Sequence, residues 1–351
     1  MKFSVIVPVY NGVKYLKNSI ESVLRQGQDG RFSLEVILVE NGSTDDSPRV
    51  CDEYAASYHM ITALHREKIG AYAARRLGMD TATGEWLLFL DADDELEKNS
   101  LLALCDFISG FGEFKCAPDI IFYDYNRVSG KSSELRTFPF EAGKLYRGAE
   151  KKIFYDTMCQ GDLLNPLWNK CVKKELAGVS LTEDKTIFLN HGEDLLQTAQ
   201  LLDRAQSIAY MAEPVYRYNT ESQGLTGSYR REFLENQKYA WQELTNFSEK
   251  WANGSLEYTK MLNERKTLTT CIAAKSISLS DMTRSEVSRK LKELFEDPFY
   301  KEYCRGSLPE WAPEEDVFFH NLQISDNPYK TFMGYITKHR IKEFIKKRIR
   351  K

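Results

Sequence analysis

The chain has 351 residues, a formal net charge of -3 and 42% hydrophobic residues, enough for a sizeable core and more than one structural unit. No apolar run reaches the ~18 residues of a membrane-spanning helix, and the opening MKFSVIVPVYN lacks the long apolar segment and cleavage site of a secretory signal. Seven Cys, at 51, 105, 116, 159, 171, 271 and 304, show no CxxC spacing and the five His no HExxH pattern, which argues for reduced thiols in a cytoplasmic setting and against a zinc site or a disulfide framework.

In chain order, FSVIVPV (3–9) is a β-branched run that ends in the turn YNG. LKNSIESVLRQ follows with Leu16, Ile20, Val23 and Leu24 at helical spacing. LEVILVE (34–40) is a second apolar run, and NGSTDDS supplies turn residues and an N-cap for a helix across VCDEYAASY. MITAL (60–64) reads as a third strand, IGAYAARRLGMDTA as a helix, WLLFL (86–90) as a buried strand and ELEKNSLLALCDFI as the helix beyond it. Strands apolar on both faces that alternate with helices predict an α/β fold with a mostly parallel central sheet.

Past residue 115 the pattern loosens. IIFYDYNRV reads as a strand, SGKSSELRTFPFEAGK as a loop or hairpin, and GDLLNPLWNKCVKKEL as a bend into a short helix. HGEDLLQTAQLLDRA (191–205) places Glu193 and Asp194 in the first turn of an amphipathic helix, where carboxylates are favoured. SIAYMAEPVYRYN and the polar linker TESQGLTGSY then lead into a region of helical character. Two domains are expected, residues 1–225 and a helical C-terminal region, 226–351.

In such a sheet ligands gather at the C-terminal ends of the strands. Glu40 and Asn41 fall there, and so do the Asp residues of EWLLFLDADD. Two carboxylates one residue apart offer hard oxygens to Mg²⁺ or Mn²⁺, with substrate phosphates completing the shell. A solvated turn, with Asp94 capping the next helix, would use the same residues.

The ordered set FSVIVPVYNG, LEVILVENGSTDDS, a helix with Gly and Arg, GEWLLFLDADD, LWNK and GED resembles the family 2 glycosyltransferases, over about residues 1–225. The resemblance implies a GT-A fold, a nucleotide-sugar donor, a divalent metal on its diphosphate, and inversion at the anomeric carbon. Carried onto this sequence, it puts Pro8, Val9 and Tyr10 at the nucleotide, and Glu40 and Asn41 where the family usually has an Asp pair meeting base and ribose. Asp93 becomes the direct metal ligand, with Asp91 and Ala92 nearer the ribose or the metal shell and Asp94 behind them. Asp194 becomes the general base that takes the acceptor proton, with Glu193 as its rival. Asn41 in place of Asp adds a donor, which leaves UDP as the expected nucleotide and other bases open.

Arg66, Lys68 and Arg75 are candidates to face the diphosphate, against the alternative that they are solvated helix and loop charges. Trp168 stacks on a sugar or lies in the core, while Asn169 and Lys170 hold the loop beneath the acceptor. His191 precedes the proposed base as a polar cap or a metal ligand, and Tyr216 and Tyr218 either close over the nucleotide or pack as a strand. Glu183 and Asp184 form a second acidic pair, read as a solvated loop.

Residues 338–351 hold eight Lys or Arg and one Glu, with Ile341, Phe344, Ile345 and Ile349 at helical spacing. This end is either an amphipathic helix that touches the inner face of an anionic membrane beside a polyprenyl-linked acceptor, or a terminal helix packed on its domain. The slightly negative net charge, with no basic surface to be inferred outside this tail, argues against a dedicated nucleic-acid function. The expected activity is inverting transfer of a hexose or N-acetylhexosamine to a hydroxyl of a surface or capsular glycan. The alternatives are a nucleotidyltransferase and a non-catalytic sugar-nucleotide or glycan binding module.

Overall fold

The computed structural model describes residues 1–27, 30–112, 117–177, 189, 191–220 and 232–349. Cys116, the pair Glu183 and Asp184, and most of the linker after Asn219 lie outside them. The chain divides into two compact units, one comprising Met1–Met158 with Asp162–Gln223 and the other Cys159–Gly161 with Gly224–Lys351.

The first unit opens with β1 (Lys2–Val9), α1 (Val13–Leu24), β2 (Ser33–Asn41), α2 (Ser47–Ser57), β3 (Ile61–Arg66), α3 (Ala71–Thr81) and β4 (Trp86–Phe89). These four strands lie in the order β3-β2-β1-β4, all parallel. Val5, Ile6, Val7, Val36, Leu38, Leu87 and Leu88 are fully buried, as strands covered on both faces require. The odd-numbered side chains of β1 pack with Leu16, Ile20 and Val23 of α1, the face that the helical spacing predicts. Pro8 costs the sheet no hydrogen bond, because the β1–β4 register ends at Ile6 opposite Phe89.

The sheet continues through β5 (Glu95–Leu96), β6 (Ile120–Ser129), β7 (Ser132–Arg136), β8 (Leu145–Arg147), β9 (Lys170–Lys173) and β10 (Ser207–Asn219). Between them run α4 (Ser100–Gly110), α5 (Lys152–Gln160), α6 (Lys174–Ala177) and α7 (Glu193–Arg204). β9 sits antiparallel between β4 and β6, β10 runs parallel to β6, and β5 closes that edge antiparallel to β10. The result is an α/β fold whose parallel half carries the first motifs, with LWNK at the start of β9 and GED at the start of α7.

Three local expectations are corrected. Glu95 and Leu96 do not start a helix; they pair with Arg217 and Tyr216, and α4 begins only at Ser100. Asp94 therefore caps no helix. The GDLLNPLWNKCVKKEL segment does reach a short helix, α6, but a 3-10 turn at Leu167–Asn169 and strand β9 come before it, so Lys170 and Cys171 lie in the middle of the sheet.

The second unit consists of α8 (Phe233–Trp251), α9 (Thr259–Leu279), α10 (Arg284–Glu296), α11 (Pro298–Tyr303), α12 (Glu314–Gln323) and α13 (Pro328–Ile349). Cys271, Ala274, Ile277, Val287, Leu291, Phe319, Phe332 and Ile336 form its core. Thr283 and Glu286 build a capping box that starts α10. The first turns of α13 thus pack inward, and Arg340 donates to the carbonyl of Ser280 at 3.3 Å. Ile341 is 56% exposed. Among the described residues no helix is long and apolar enough to cross a membrane.

Candidate active site

Four loops meet at the C-terminal ends of β1 to β4, and side chains from the motif turns stitch them together. Ser43 Oγ accepts the Asn11 amide at 3.0 Å, and Asn11 Oδ1 accepts the Thr44 amide at 2.8 Å. Asp45 Oδ2 accepts the Val13 amide at 3.1 Å and Ser47 Oγ that of Gly12 at 3.0 Å, which satisfies amides at the start of α1. The NGSTDDS turn therefore caps the neighbouring helix α1 in addition to leading into its own helix. Sequence reading missed this, although the density of Ser, Thr and Asp in the turn was the available signal.

Glu40 and Asn41 are both buried at the end of β2. Glu40 Oε1 accepts the Ser43 amide at 2.6 Å, and its Oε2 lies 3.5 Å from His65 Nδ1. His65 Nε2 in turn contacts Asp52 at 2.9 Å, and that bond, followed by Glu40, raises the imidazole above its ordinary pKa. Asn41 Oδ1 accepts the Ile69 amide at 2.8 Å, which ties β2 to the segment leading into α3. Lys68 Nζ lies 4.2 Å from the centre of the Tyr10 ring and donates to its hydroxyl at 2.9 Å. Val9 is buried, and Pro8 and Tyr10 are half-buried at the rim. Arg66 is the last residue of β3, exposed, with its guanidinium on the carbonyl of His65.

Arg75 is the centre of the site. It points from α3 into the protein with 7% of its side chain exposed and reaches Asp91 Oδ1 at 3.1 Å, Glu193 Oε1 at 3.3 Å and Asp194 Oδ1 at 2.9 Å. Burial alone would lower its pKa, but Asp194, Asp91 and Glu193 outweigh it and hold the guanidinium charged. A helix residue thus bridges the DADD turn after β4 and the first turn of α7. Arg76, next to it, does other work, bonding Asp80 on its own helix and the carbonyl of Ala177.

Asp194 is aimed by the backbone before it. Gly192, the residue ahead of α7, has φ +79°, a left-handed conformation open to Gly at no steric cost. Asp194 Oδ1 is enclosed and touches Arg75 without the alignment of a hydrogen bond, while the side chain as a whole keeps 28% exposure. Burial pushes its pKa up to about 7 against the pull of Arg75, with Glu193 and Asp91 adding to the rise. The carboxylate is therefore poised near neutrality, where a general base is most effective.

Lys170 lies behind it, fully buried, donating to the carbonyls of Leu164 and Pro166 and to Thr198 Oγ1. Burial draws its pKa well below the usual lysine value. Asn169 Nδ2 donates to the carbonyl of Leu163 at 3.0 Å, so both residues clamp the 163–166 loop from beneath. Trp168 is 7% exposed and lies parallel to Tyr216 at 4.6 Å and to Tyr218 at 5.4 Å, with Tyr125 edge-on at 4.8 Å. Its surface is spent on this aromatic cluster, so stacking of its ring on a sugar does not fit the structure. His191 stands immediately before Gly192 and is half-buried.

Asp91, Ala92 and Asp93 are half-exposed, whereas Asp94 is 2% exposed and its pKa rises to about 8 through burial and the nearby charges of Asp91 and Asp93. Among the described residues no three His, Cys, Asp or Glu side chains are grouped as a ready-made metal cage. Asp91 and Asp93 supply only carboxylate oxygens, and a hard divalent cation completed by phosphate oxygens fits that donor set.

Glycosyl transferase family 2 matches residues 4–161. EpsH of Bacillus subtilis is 25% identical over 293 residues, 83% of this chain and 80% of EpsH. The poly(ribitol-phosphate) beta-N-acetylglucosaminyltransferase TarS of Staphylococcus aureus is 26% identical over 230 residues, 64% of this chain and 36% of TarS. A crystal structure of S. aureus TarS 1-349 in complex with UDP-GlcNAc superposes with a TM-score of 0.52 at 18% identity, covering 97% of this chain and 92% of that one. That likeness is one of fold, and it agrees with the strand-end motifs of the matched segment: residues 4–161 are similar to glycosyl transferase family 2.

Proposed function

We propose that this glycosyltransferase moves a hexose or N-acetylhexosamine from a nucleotide-diphosphate sugar, UDP in the first instance, to a hydroxyl of a surface or capsular glycan, with inversion. The observation that carries this reading is the Arg75 guanidinium, which holds Asp91 of the DADD turn and Asp194 of the GED segment on one cation. An acidic donor site and a carboxylate with a pKa of about 7 then lie within the span of one side chain, as attack on an anomeric carbon beside a diphosphate demands.

Asp93 and Asp91 are the residues to hold a Mg²⁺ or Mn²⁺ ion, whose chemistry is to offset the charge that grows on the leaving diphosphate. Tyr10, Lys68, Glu40 and Asn41 line the nucleotide end of the rim. Arg75 is too enclosed by its three carboxylates to serve the diphosphate directly and acts by holding them. Asp194 removes the acceptor proton, with Glu193 turned to Arg75 beside it. Asn169 and Lys170 support the acceptor side through the 163–166 loop. UDP is favoured because TarS, which shares the fold, has been crystallised with UDP-GlcNAc. A polyprenyl-linked acceptor at the inner face of a membrane accords with the basic end of α13 and its exposed Ile341.

Product analysis tests the reading. Incubation with UDP-sugars and an acceptor glycan should release nucleoside diphosphate and leave a product of opposite anomeric configuration. Release of pyrophosphate would instead identify a nucleotidyltransferase. Donor binding with no turnover on any acceptor would identify a binding module.

A further inference from the structure

The Asp91–Asp94 turn begins where the sheet stops supporting it. The Leu90 amide still bonds the Ile6 carbonyl at 3.0 Å, but β4 has ended and the next backbone donor has no strand to pair with. A part-buried N–H there needs a partner. It comes from β10, on the other half of the sheet: the Tyr216 hydroxyl oxygen accepts the Asp91 amide at 3.1 Å. The same hydroxyl donates to Asp94 Oδ2 at 2.8 Å, and the Asn219 amide donates to Asp94 Oδ1 at 2.7 Å. Asn219 Nδ2 completes the set by donating to the Asp93 carbonyl at 3.0 Å. Tyr216 is itself immobilised, fully buried and parallel to the Trp168 ring.

We propose that Tyr216 and Asn219 are positioning residues that aim the Asp91 and Asp93 carboxylates at a nucleotide diphosphate and its divalent cation, with Asp94 as the post to which both are tied. The proposal rests on the donor reading above. Every acidic residue of the turn is held from β10, Asp91 and Asp93 by their backbone and Asp94 by its side chain. The two acidic residues left half-exposed, Asp91 and Asp93, are the two whose carboxylates would meet the ligand. Arg75 grips the Asp91 carboxylate itself, but without the ties from β10 the backbone that carries both carboxylates would be free to shift, and supporting bonds of this kind commonly govern metal affinity at ligand carboxylates.

The test is calorimetric titration of the full chain with UDP and with GDP, each alone and with Mn²⁺, for wild type, Tyr216→Phe and Asn219→Ala. The quantity read is the gain in nucleotide affinity that Mn²⁺ confers. Each variant should lose about tenfold of that gain, while metal-free nucleotide affinity stays within about twofold of wild type. Asn219→Ala is the safeguard should Tyr216→Phe fold poorly, since it leaves the Tyr216–Trp168 packing intact. A gain equal to wild type in Asn219→Ala, whatever the melting temperature, would overturn the proposal by showing the ties to be structural only. Wild type with no metal-linked gain would overturn the metal-dependent donor reading first, and this inference with it.

Discussion

Arg75 Nη1 stands 2.9 Å from Asp194 Oδ1 while Nη2 of the same guanidinium stands 3.1 Å from Asp91 Oδ1, so the proposed base and the proposed donor site share one buried cation. Removing one partner of a buried ion pair leaves the others uncompensated. Arg75→Met should therefore cost about 3–5 kcal/mol of stability, read as a lowered denaturant midpoint. Arg75→Lys keeps the charge but not the fork and should fall between the two. An unfolding midpoint of Arg75→Met equal to wild type would show that the three carboxylates do not depend on it.

Asp194 and Asp93 should separate turnover from binding. Asp194→Asn removes the proton acceptor at constant shape and should lower kcat by about 10²–10⁴-fold, with nucleotide affinity near wild type. Asp93→Ala should weaken metal-dependent nucleotide binding. Equal loss of affinity in both would defeat this division of roles.

The pH dependence follows from the raised pKa of Asp194. A base with a pKa of about 7 is mostly protonated at pH 6, so kcat should rise with pH and level off above neutrality. For the fold the sign is opposite: a pKa above the ordinary Asp value of about 3.9 means stability present below that value and lost as pH rises towards 7. A kcat profile flat from pH 5.5 to 8 would remove Asp194 as the base.

Glu35 provides the complementary case, at the far end of β2. Burial pushes its carboxyl up, but hydrogen bonds from Ser4, the Thr83 hydroxyl and amide, and Lys2 outweigh it and hold the pKa at about 2. Its contribution is therefore present above the ordinary Glu value of about 4.3 and lost as pH falls through 2. Glu35→Gln should melt below wild type at pH 7, with the gap closing between pH 4 and pH 2. A gap that does not change with pH would mean that the ionised form is not what these donors hold. Turnover at pH 7 should be nearly unchanged, since Glu35 lies opposite the strand ends that carry the site.

The parallel half was legible because its strands are continuous apolar runs, and the placing of Glu40, Asn41 and the DADD turn at their C-terminal ends followed from that. What stayed hidden depends on distant partners. Glu95 and Leu96 lie in a stretch with the composition of a helix, yet pairing with β10 makes them strand, a tertiary override of local propensity. β9 spans four residues, two of them lysines, too few to show a period. Nothing in the adjacent Arg75 and Arg76 tells which turns inward, because that choice is set by the distance from α3 to a first turn more than a hundred residues later. Of the two readings open for Tyr216, the strand aromatic packed inward is the one that its burial supports, but the reach of its hydroxyl to Asp91 and Asp94 could come only from the register of β10 against β5 and β6.

Gly42 yields the last expectation. It has φ +72°, and a Cβ there would lie 2.7 Å from the backbone nitrogen of Lys68, a contact no side-chain rotation can relieve. Gly42→Ala should cost about 1–2 kcal/mol for the left-handed conformation alone. It should also displace the 67–69 segment, whose Ile69 amide is held by Asn41 and whose Lys68 lies over Tyr10. Because that segment borders the nucleotide end of the rim and not Asp194, the change should raise the Kd for nucleotide while kcat at saturating donor is largely kept. Titration of Gly42→Ala with nucleotide and Mn²⁺, beside its thermal midpoint, separates the two effects. A lowered midpoint with unchanged nucleotide affinity would detach Lys68 and Tyr10 from the donor site.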